Sequence, residues 1–302
     1  MSAAIDLMEA TLQDLAADQV VQPLRTVMPL APPRVLGLMP AWLKPADIVG
    51  AKLIAVVPGN SQVGLPSHQG VIVLFAASTG SPLAVVDAES VTAIRTAAVS
   101  GVATRHLASP SAHRLALFGT GRQAHTHLAA MLAVRPLREV WVWGRNPAHA
   151  LAFQREAIRT TAATVRVART AREAAENADI ICTVTSAATP VLAGRWVRAG
   201  THINAVGACL ATARELDTAL IQQSRLFVDQ REASEHEAGD YLIPLAEGAI
   251  SARHVLGELG EVLRHTVPGR QADDDVTVFK AVGLAAEDIA AAHFVYSSRV
   301  GT

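Results

Sequence analysis

Aromatic residues are scarce: six Phe, four Trp and two Tyr in 302 residues. A core so poor in rings must be filled with aliphatic side chains. Half of the residues are hydrophobic, and most of that apolar mass is Ala, Val and Leu, a mix that suits helices packed on a buried parallel sheet. Only two cysteines occur, Cys182 and Cys209, far apart, which excludes a disulfide framework or a zinc ribbon. The eleven His residues are scattered with no metal-ligand spacing such as HExxH, so no metal site is expected. Basic and acidic residues nearly cancel, with a formal net charge of −1, and nothing draws the chain toward nucleic acid or an anionic membrane. The longest apolar runs, such as VIVLFAA, fall far short of the ~20 residues that a membrane helix needs. The start, MSAAIDLMEATLQDL, carries acids early and lacks the basic-then-apolar pattern of a secretory signal. These absences together lead to the expectation of a soluble, cytoplasmic α/β protein.

What is present has two rhythms. In the first third, Pro-rich loops (QPLRTVMPLAPPRVLGLMP) separate the short apolar runs AKLIAVVP, GVIVLFAA and PLAVVDA, which read as strands joined by Gly- and Pro-tipped turns. SVTAIRTAAVSGVATRHLA then repeats its apolar positions at helical spacing, with Ser90 or Thr92 as its cap. From Arg114 onward strands alternate with helices: RLALFG, EVWVWG, VRVA, ADIICTVT, HINAVG and RLFVD are the strands. That alternation is the sequence sign of a doubly wound parallel sheet. The last segment, VFKAVGLAAEDIAAAHFVYSSR, reads as one long amphipathic helix after the acidic, polar PGRQADDD. The expected organisation is a Rossmann-type domain over 113–275 and a discontinuous α+β domain made of 1–112 and 276–302, the final helix returning to pack on the N-terminal part. No internal repeat or low-complexity segment interrupts it.

The turn after RLALF is the most informative stretch. Gly119-Thr120-Gly121-Arg122-Gln123-Ala124 is GxGxxA, between an apolar strand and a helix. The first Gly allows the tight turn, the second lets backbone approach a pyrophosphate, and the small third residue lets helix and strand pack closely. The amides at the helix start would face the phosphates. The next strand, EVWVW, ends in Gly144-Arg145-Asn146. An NAD site usually has an Asp or Glu there for the ribose hydroxyl; here an arginine stands ready for a 2′-phosphate, so NADP(H) is the expected cofactor, with NAD(H) possible. The alternative for Arg145 is a solvated loop arginine. Thr183, in ADIICTVT, joins these cofactor-binding candidates.

The residues PLRTV, AKLIAVVPGN, GLPSHQGVIVLF, GSPLAVVDAESVTAIRTAA, GTGRQAHTHLAAM, INAVGA followed by RELD, and TVFKAVGLAAEDIAAA, in this order, resemble the ornithine cyclodeaminase/mu-crystallin family over nearly the whole chain. The resemblance implies a Rossmann domain beside a substrate-binding and dimerisation domain, a homodimer, and chemistry on small α-amino or α-imino acids. It implies that Arg25 and Lys52 hold a substrate carboxylate, that Arg95 sits near the cofactor and the reacting carbon, and that Ser67 and His68 contact the nicotinamide end. The residues themselves leave other readings open. Lys52 opens an apolar strand, where a cation needs an anionic partner, or it reaches solvent from a strand end. Arg95, among small apolar residues on a helix, could form a buried structural ion pair, and His68 could be a loop histidine.

One departure from the family bears on the reaction. Its cyclodeaminases carry an Asp just after the strand that reads INAVG here, and this chain has Ala208. Alanine cannot move protons, which puts a self-contained cyclodeaminase cycle in doubt. Arg214, Glu215 and Asp217 follow, and the acids suit the start of the next helix. Cys209 has no His near it in sequence and reads as a small buried cysteine rather than a nucleophile. The resemblance, with the acid gone, points to an NAD(P)H-dependent reductase: hydride to C2 of Δ1-pyrroline-2-carboxylate or Δ1-piperideine-2-carboxylate, giving L-proline or L-pipecolate, with Lys52, Arg25 and Arg95 as the catalytic set. An ornithine cyclodeaminase with another proton donor, an alanine-type dehydrogenase of open-chain amino acids, and a non-catalytic NADP- and ligand-binding protein remain as alternatives.

Overall fold

Two sheets organise the chain. The computed structural model describes residues 1–301. After helix α1 (Ser2–Leu15) come strands β1 (Val20–Val21), β2 (Thr26–Pro29), β3 (Val35–Leu43), β4 (Ile48–Val56), β5 (His68–Ala76) and β6 (Pro82–Asp87). Helix α2 (Ala88–Leu107) leads to β7 (Arg114–Phe118), α3 (Arg122–Val134), β8 (Glu139–Trp143), α4 (Pro147–Ala157), β9 (Thr164–Val167), α5 (Ala171–Glu176), β10 (Ile180–Thr183) and β11 (His202–Ala205). The remainder is α6 (Thr218–Gln223), β12 (Arg225–Val228), α7 (Arg231–Glu237), α8 (Gly239–Ala246), β13 (Val255–Glu258), α9 (Leu259–Leu263), β14 (Thr277–Lys280) and α10 (Ala285–Val300). Among the described residues no helix is long and apolar enough to cross a membrane.

The larger sheet is parallel throughout, in the order β13-β12-β14-β11-β10-β7-β8-β9. Its strand order reverses between β7 and β10, the place where doubly wound sheets open a crevice for ligands. The central strands β10, β11 and β14 are buried at every position, as the inner strands of a parallel sheet covered on both faces are, although β11 and β14 carry the polar His202, Asn204, Thr277 and Lys280. Local chemistry sets the helix starts. Asn146 caps α4 with Pro147 at its first position, Thr170 caps α5, and Asp217 caps α6, each side chain accepting an otherwise unpaired amide.

The smaller sheet is an antiparallel meander, β1-β3-β4-β5-β6, with β2 also on β3. Its strands alternate: Met39, Ala41 and Leu43 are buried, whereas Leu38 and Trp42 are exposed. The buried face packs against α10. The opposite face carries Leu38, Trp42, Val71 and Val85, all exposed.

The chain divides into two compact units, Met1–Ile5 with Ala97–Val282, and Asp6–Thr96 with Gly283–Thr302. The divisions at 96/97 and 282/283 differ from those expected at 112/113 and 275/276. The first falls inside α2, a helix whose second half is counted with the parallel sheet. The second is displaced because TVFK is not the start of a helix: it is β14, paired on both sides in the parallel sheet. The final helix therefore begins at Ala285, after Gly283 with φ +82°. Strand β13 lay in no expected element. Helix α2 starts at Ala88, and its cap is neither Ser90 nor Thr92; Asp87 accepts the Ser90 amide at 2.8 Å.

Candidate active site

The unit with the antiparallel sheet gathers three cations at the start of α10. Lys52 occupies a core-facing position in the middle of β4, between Gly50 and Ile54, and is 2 % exposed. A cation there must be paired. Its partner is Asp288, one turn into α10, through Oδ2. The other oxygen of Asp288 accepts from Arg95 Nε at 2.8 Å, and Glu287 accepts from Arg95 Nη1 at 2.6 Å. Arg25, half-buried on the loop before β2, donates to the Gly283 carbonyl at 2.6 Å. Gly283 is required twice. Its left-handed backbone favours glycine, and a Cβ would lie 2.6 Å from Arg95 Nη1.

Arg25, Lys52 and Arg95 thus converge on a region that contains two carboxylates, Glu287 and Asp288. Burial lowers the Lys52 pKa to about 8, with Arg95 and Arg25 pushing the same way and Asp288 opposing. Burial works against ionised Asp288, but Arg95 and Lys52 hold its carboxyl below the usual range. The arrangement can bind a small carboxylate, and in Lys52 it has a group able to give up a proton near neutral pH.

The three cations singled out in the sequence are therefore brought together. Lys52 does not reach solvent from a strand end, and Arg95 does form the buried ion pair. Glu287 and Asp288 were not foreseen. Their signal was two adjacent acids in the first turn of an otherwise apolar segment, AAEDIAAA. Ser67 and His68 lie at the head of β5, Ser67 Oγ 2.9 Å from His68 Nδ1.

The other unit holds the glycine turn. Gly119 has φ +121°, and a Cβ there would lie 2.8 Å from the Val184 carbonyl oxygen, so only glycine fits. Gly121 opens α3 without a side-chain cap, and a Cβ on it would meet nothing within 4 Å. The bare helix start consequently has room before it, as a pyrophosphate requires. Ala124 is fully buried against the sheet, and a Cβ on Gly144 would lie 2.9 Å from Thr120 Cγ2. These residues fit a dinucleotide. Arg122 and Arg145 are exposed, and Gln123 is half-buried. Asn146 uses its side chain as the α4 cap, accepting from Ala148 N at 2.9 Å. Thr183 is fully buried and its hydroxyl donates to Glu215 at 2.8 Å.

Glu215 corrects a sequence expectation. Asp217 does start a helix, whereas Glu215 is fully buried and binds the carboxyl ends of β10 and β11 together. Ala208 is buried, and its carbonyl accepts from Lys280 Nζ. Cys209 is half-buried rather than buried, its thiol 3.4 Å from the Val206 carbonyl.

Comparison with known proteins places this geometry. The family model described as ornithine cyclodeaminase/mu-crystallin matches residues 1–302. The chain is 42 % identical over 280 residues to the ketimine reductase mu-crystallin of Mus musculus, covering 92 % of this chain and 85 % of that protein. It is 36 % identical over 302 residues to the Δ1-pyrroline-2-carboxylate reductase of Bacillus cereus, covering 99 % and 93 %. Among solved structures, the Thermococcus litoralis Δ1-pyrroline-2-carboxylate reductase in complex with NADH and L-proline superimposes with a TM-score of 0.96 at 36 % identity, covering 99 % of this chain and 94 % of that one.

Proposed function

The chain belongs to the ornithine cyclodeaminase/mu-crystallin family, and from that premise we propose that it is an NAD(P)H-dependent reductase of cyclic imino acids. The observation that carries the reading is the convergence of Arg25, Lys52 and Arg95 at the start of α10. The named activities of the mouse, Bacillus and Thermococcus relatives support it. The substrate is Δ1-pyrroline-2-carboxylate, its six-membered homologue, or both. The products are L-proline and L-pipecolate.

Bound reduced nicotinamide supplies the hydride. Arg25 and Lys52 take the substrate carboxylate, and this fixes the imine carbon with respect to the donor, so orientation carries much of the rate. Arg95 is placed by Glu287 and Asp288 beside the same cluster. Reduction adds a hydride to C2 and leaves the ring nitrogen with one proton. When the imine enters unprotonated, Lys52 supplies that proton, and its lowered pKa near 8 suits the transfer. Ala208 fits this reading, because net reduction needs no group to shuttle protons onto a departing amine.

Gly119, Thr120, Gly121, Arg122 and Gln123 would hold the pyrophosphate, with Ser67 and His68 toward the nicotinamide half; Ala124 and Thr183, both fully buried, would support the site from within the fold rather than touch the cofactor with their side chains. Gly144, Arg145 and Asn146 would face the adenosine ribose, where Arg145 favours the 2′-phosphate of NADP(H). Two copies are proposed to pair through the exposed apolar face around Leu38, Trp42, Val71 and Val85, since an apolar patch of that kind marks an association surface. The proposed location is the cytoplasm. The test is oxidation of NADPH, against an NADH control, with the five- and six-membered imines and with pyruvate plus ammonia. Turnover of a cyclic imine is the expected result. Turnover of pyruvate with ammonia alone would make the protein an open-chain dehydrogenase. Binding without turnover, or ammonia release from ornithine, would overturn the reductase reading.

A further inference from the structure

Outside the cation cluster, the largest set of buried charged groups lies at the carboxyl ends of the parallel strands. Glu215 is fully buried and uses both carboxylate oxygens. One accepts from Thr183 Oγ1 at 2.8 Å and Gly207 N at 2.7 Å, the other from Thr185 N and Thr185 Oγ1, each at 2.7 Å. Asp240, 1 % exposed, accepts the Glu215 and Leu216 amides through one oxygen, at 2.8 and 2.9 Å. Its other oxygen lies 3.0 Å from Lys280 Nζ. Lys280 is fully buried at the end of β14 and donates to the Ala208 carbonyl.

The outcome is one dipeptide held at both ends by charge. The Gly207 amide is gripped by Glu215 and the Ala208 carbonyl by Lys280, while Asp240 ties the two grips together. Room is just sufficient, since a Cβ on Gly207 would lie 2.6 Å from Glu215 Oε1. The same network reaches the glycine turn. Glu215 fixes Thr185, and the carbonyl of its neighbour Val184 is the atom that excludes a side chain from Gly119. A hydrophobic isostere would fill the space at lower desolvation cost than three buried charges, so packing alone does not account for them. In a doubly wound sheet the dinucleotide lies across these carboxyl ends at the switch point, and β10 borders that point.

We propose that Glu215, Asp240 and Lys280 are positioning residues that fix the Gly207–Ala208 peptide and the Thr185 turn, and thereby hold the nicotinamide half of the bound cofactor in its reactive orientation. The inference rests on the reductase reading only for the identity of the hydride acceptor. The adenosine half, at the end of β8, lies outside this network, and the glycine turn meets the network only through the Val184 carbonyl.

Lys280→Met and Glu215→Gln test it. Dissociation constants are measured for NADPH and NADH and for their nicotinamide-free counterparts, 2′-phospho-ADP-ribose and ADP-ribose. The fluorescence of bound reduced nicotinamide is recorded in parallel, and kcat is measured with Δ1-pyrroline-2-carboxylate. The expected pattern for both variants is a nicotinamide-free Kd within twofold of wild type, a loss of most of the nicotinamide fluorescence change, and a kcat reduced at least tenfold with a smaller change in KM for the imine. Asp217→Ala, which removes the α6 cap and the acceptor of the Gly194 amide but no contact of the network, should leave the fluorescence change intact. An equal weakening of whole and nicotinamide-free cofactors would mean a general role in sheet stability and would overturn the proposal. So would an unchanged fluorescence signal in Glu215→Gln, the variant that keeps side-chain volume and an acceptor oxygen, even if Lys280→Met failed to fold. The binding arms contain no imine, so a wild-type protein inert toward imines would overturn the functional reading alone.

Discussion

Replacing Asp288 with Asn removes one charge from the centre of the cation cluster and keeps its volume, along with an oxygen that can still accept from Arg95 Nε. In the wild type, burial brings Lys52 from its ordinary 10.5 down to about 8, with Asp288 resisting. A directly contacting opposite charge shifts a pKa by about one to three units, so the Asn variant should bring Lys52 to about 5 to 7. Each unit corresponds to about 1.4 kcal/mol. Wild-type Lys52 has a folded-state pKa below its unfolded value; the unfolded chain binds the extra proton between pH 8 and 10.5, and stability rises with pH across that window. In the variant the same rise begins lower. Its stability deficit should therefore be greatest at low pH, about 3–5 kcal/mol as for other buried pairs broken from one side. The Lys52 share of that deficit should vanish by about pH 9. The assays are urea unfolding at pH 6 and 9 and the pH profile of kcat/KM for imine reduction. The substrate titrates identically in both proteins, so the difference between profiles isolates the enzyme. The alkaline limb should move down by at least one unit. An unmoved limb together with a deficit flat in pH would refute Lys52 as the group under Asp288 control.

Three further outcomes follow from the same geometry. Arg145→Ala should raise the KM for NADPH ~10–100-fold and leave that for NADH nearly unchanged, since a charge-assisted hydrogen bond to phosphate is worth about 1.5–3 kcal/mol; steady-state kinetics with both cofactors decide it. Gly121→Ala should leave the melting temperature of the free protein within about 2 °C, because its Cβ enters open space at an ordinary φ of −85°. It should nonetheless weaken the thermal shift produced by NADPH, and an undiminished shift would count against the pyrophosphate position. Val85→Glu with Trp42→Glu should convert a dimer to monomer in sedimentation velocity without lowering cofactor affinity; a wild-type monomer would remove the pairing proposal outright.

How much was legible in the sequence varied with the physics of each element. The strands of the first βαβ unit were legible because each is a compact apolar run closed by glycine or by a cap such as Asn146. TVFKAV was not, because a four-residue buried strand lacks alternation, and its apolar residues merged with those of the helix that follows Gly283. Strand β13, VLGE, is as short and contains a glycine, which lowers any strand signal. Within the site, Arg25, Lys52 and Arg95 were named through family resemblance. Their counter-charges went unseen because only the tertiary fold turns Glu287 and Asp288 toward two cations from distant segments. A helix start explains acids on its own, and that rule misread Glu215. It looked like a helix-start acid beside Asp217, but a chain that brings it between β10 and β11 makes it a cross-strand tie.

The position of β14 has a consequence for biogenesis. Strands β11 and β12 are both hydrogen-bonded to it and not to each other, and it is translated after β12, two helices, β13 and a third helix. Until Thr277–Lys280 emerges, the nascent parallel sheet has two bare inner edges open to misregistered pairing, and Ala208 and Asp240 lack the lysine they share. Helix α10 follows and brings the carboxylates that bind Arg95 and Lys52, both of which are translated much earlier. Neither unit can be completed domain by domain on the ribosome, as multidomain chains commonly are. One late segment closes the nucleotide-binding sheet and supplies two carboxylates to the cation cluster, so the chain passes from two unfinished halves to an enzyme within a single short stretch of synthesis.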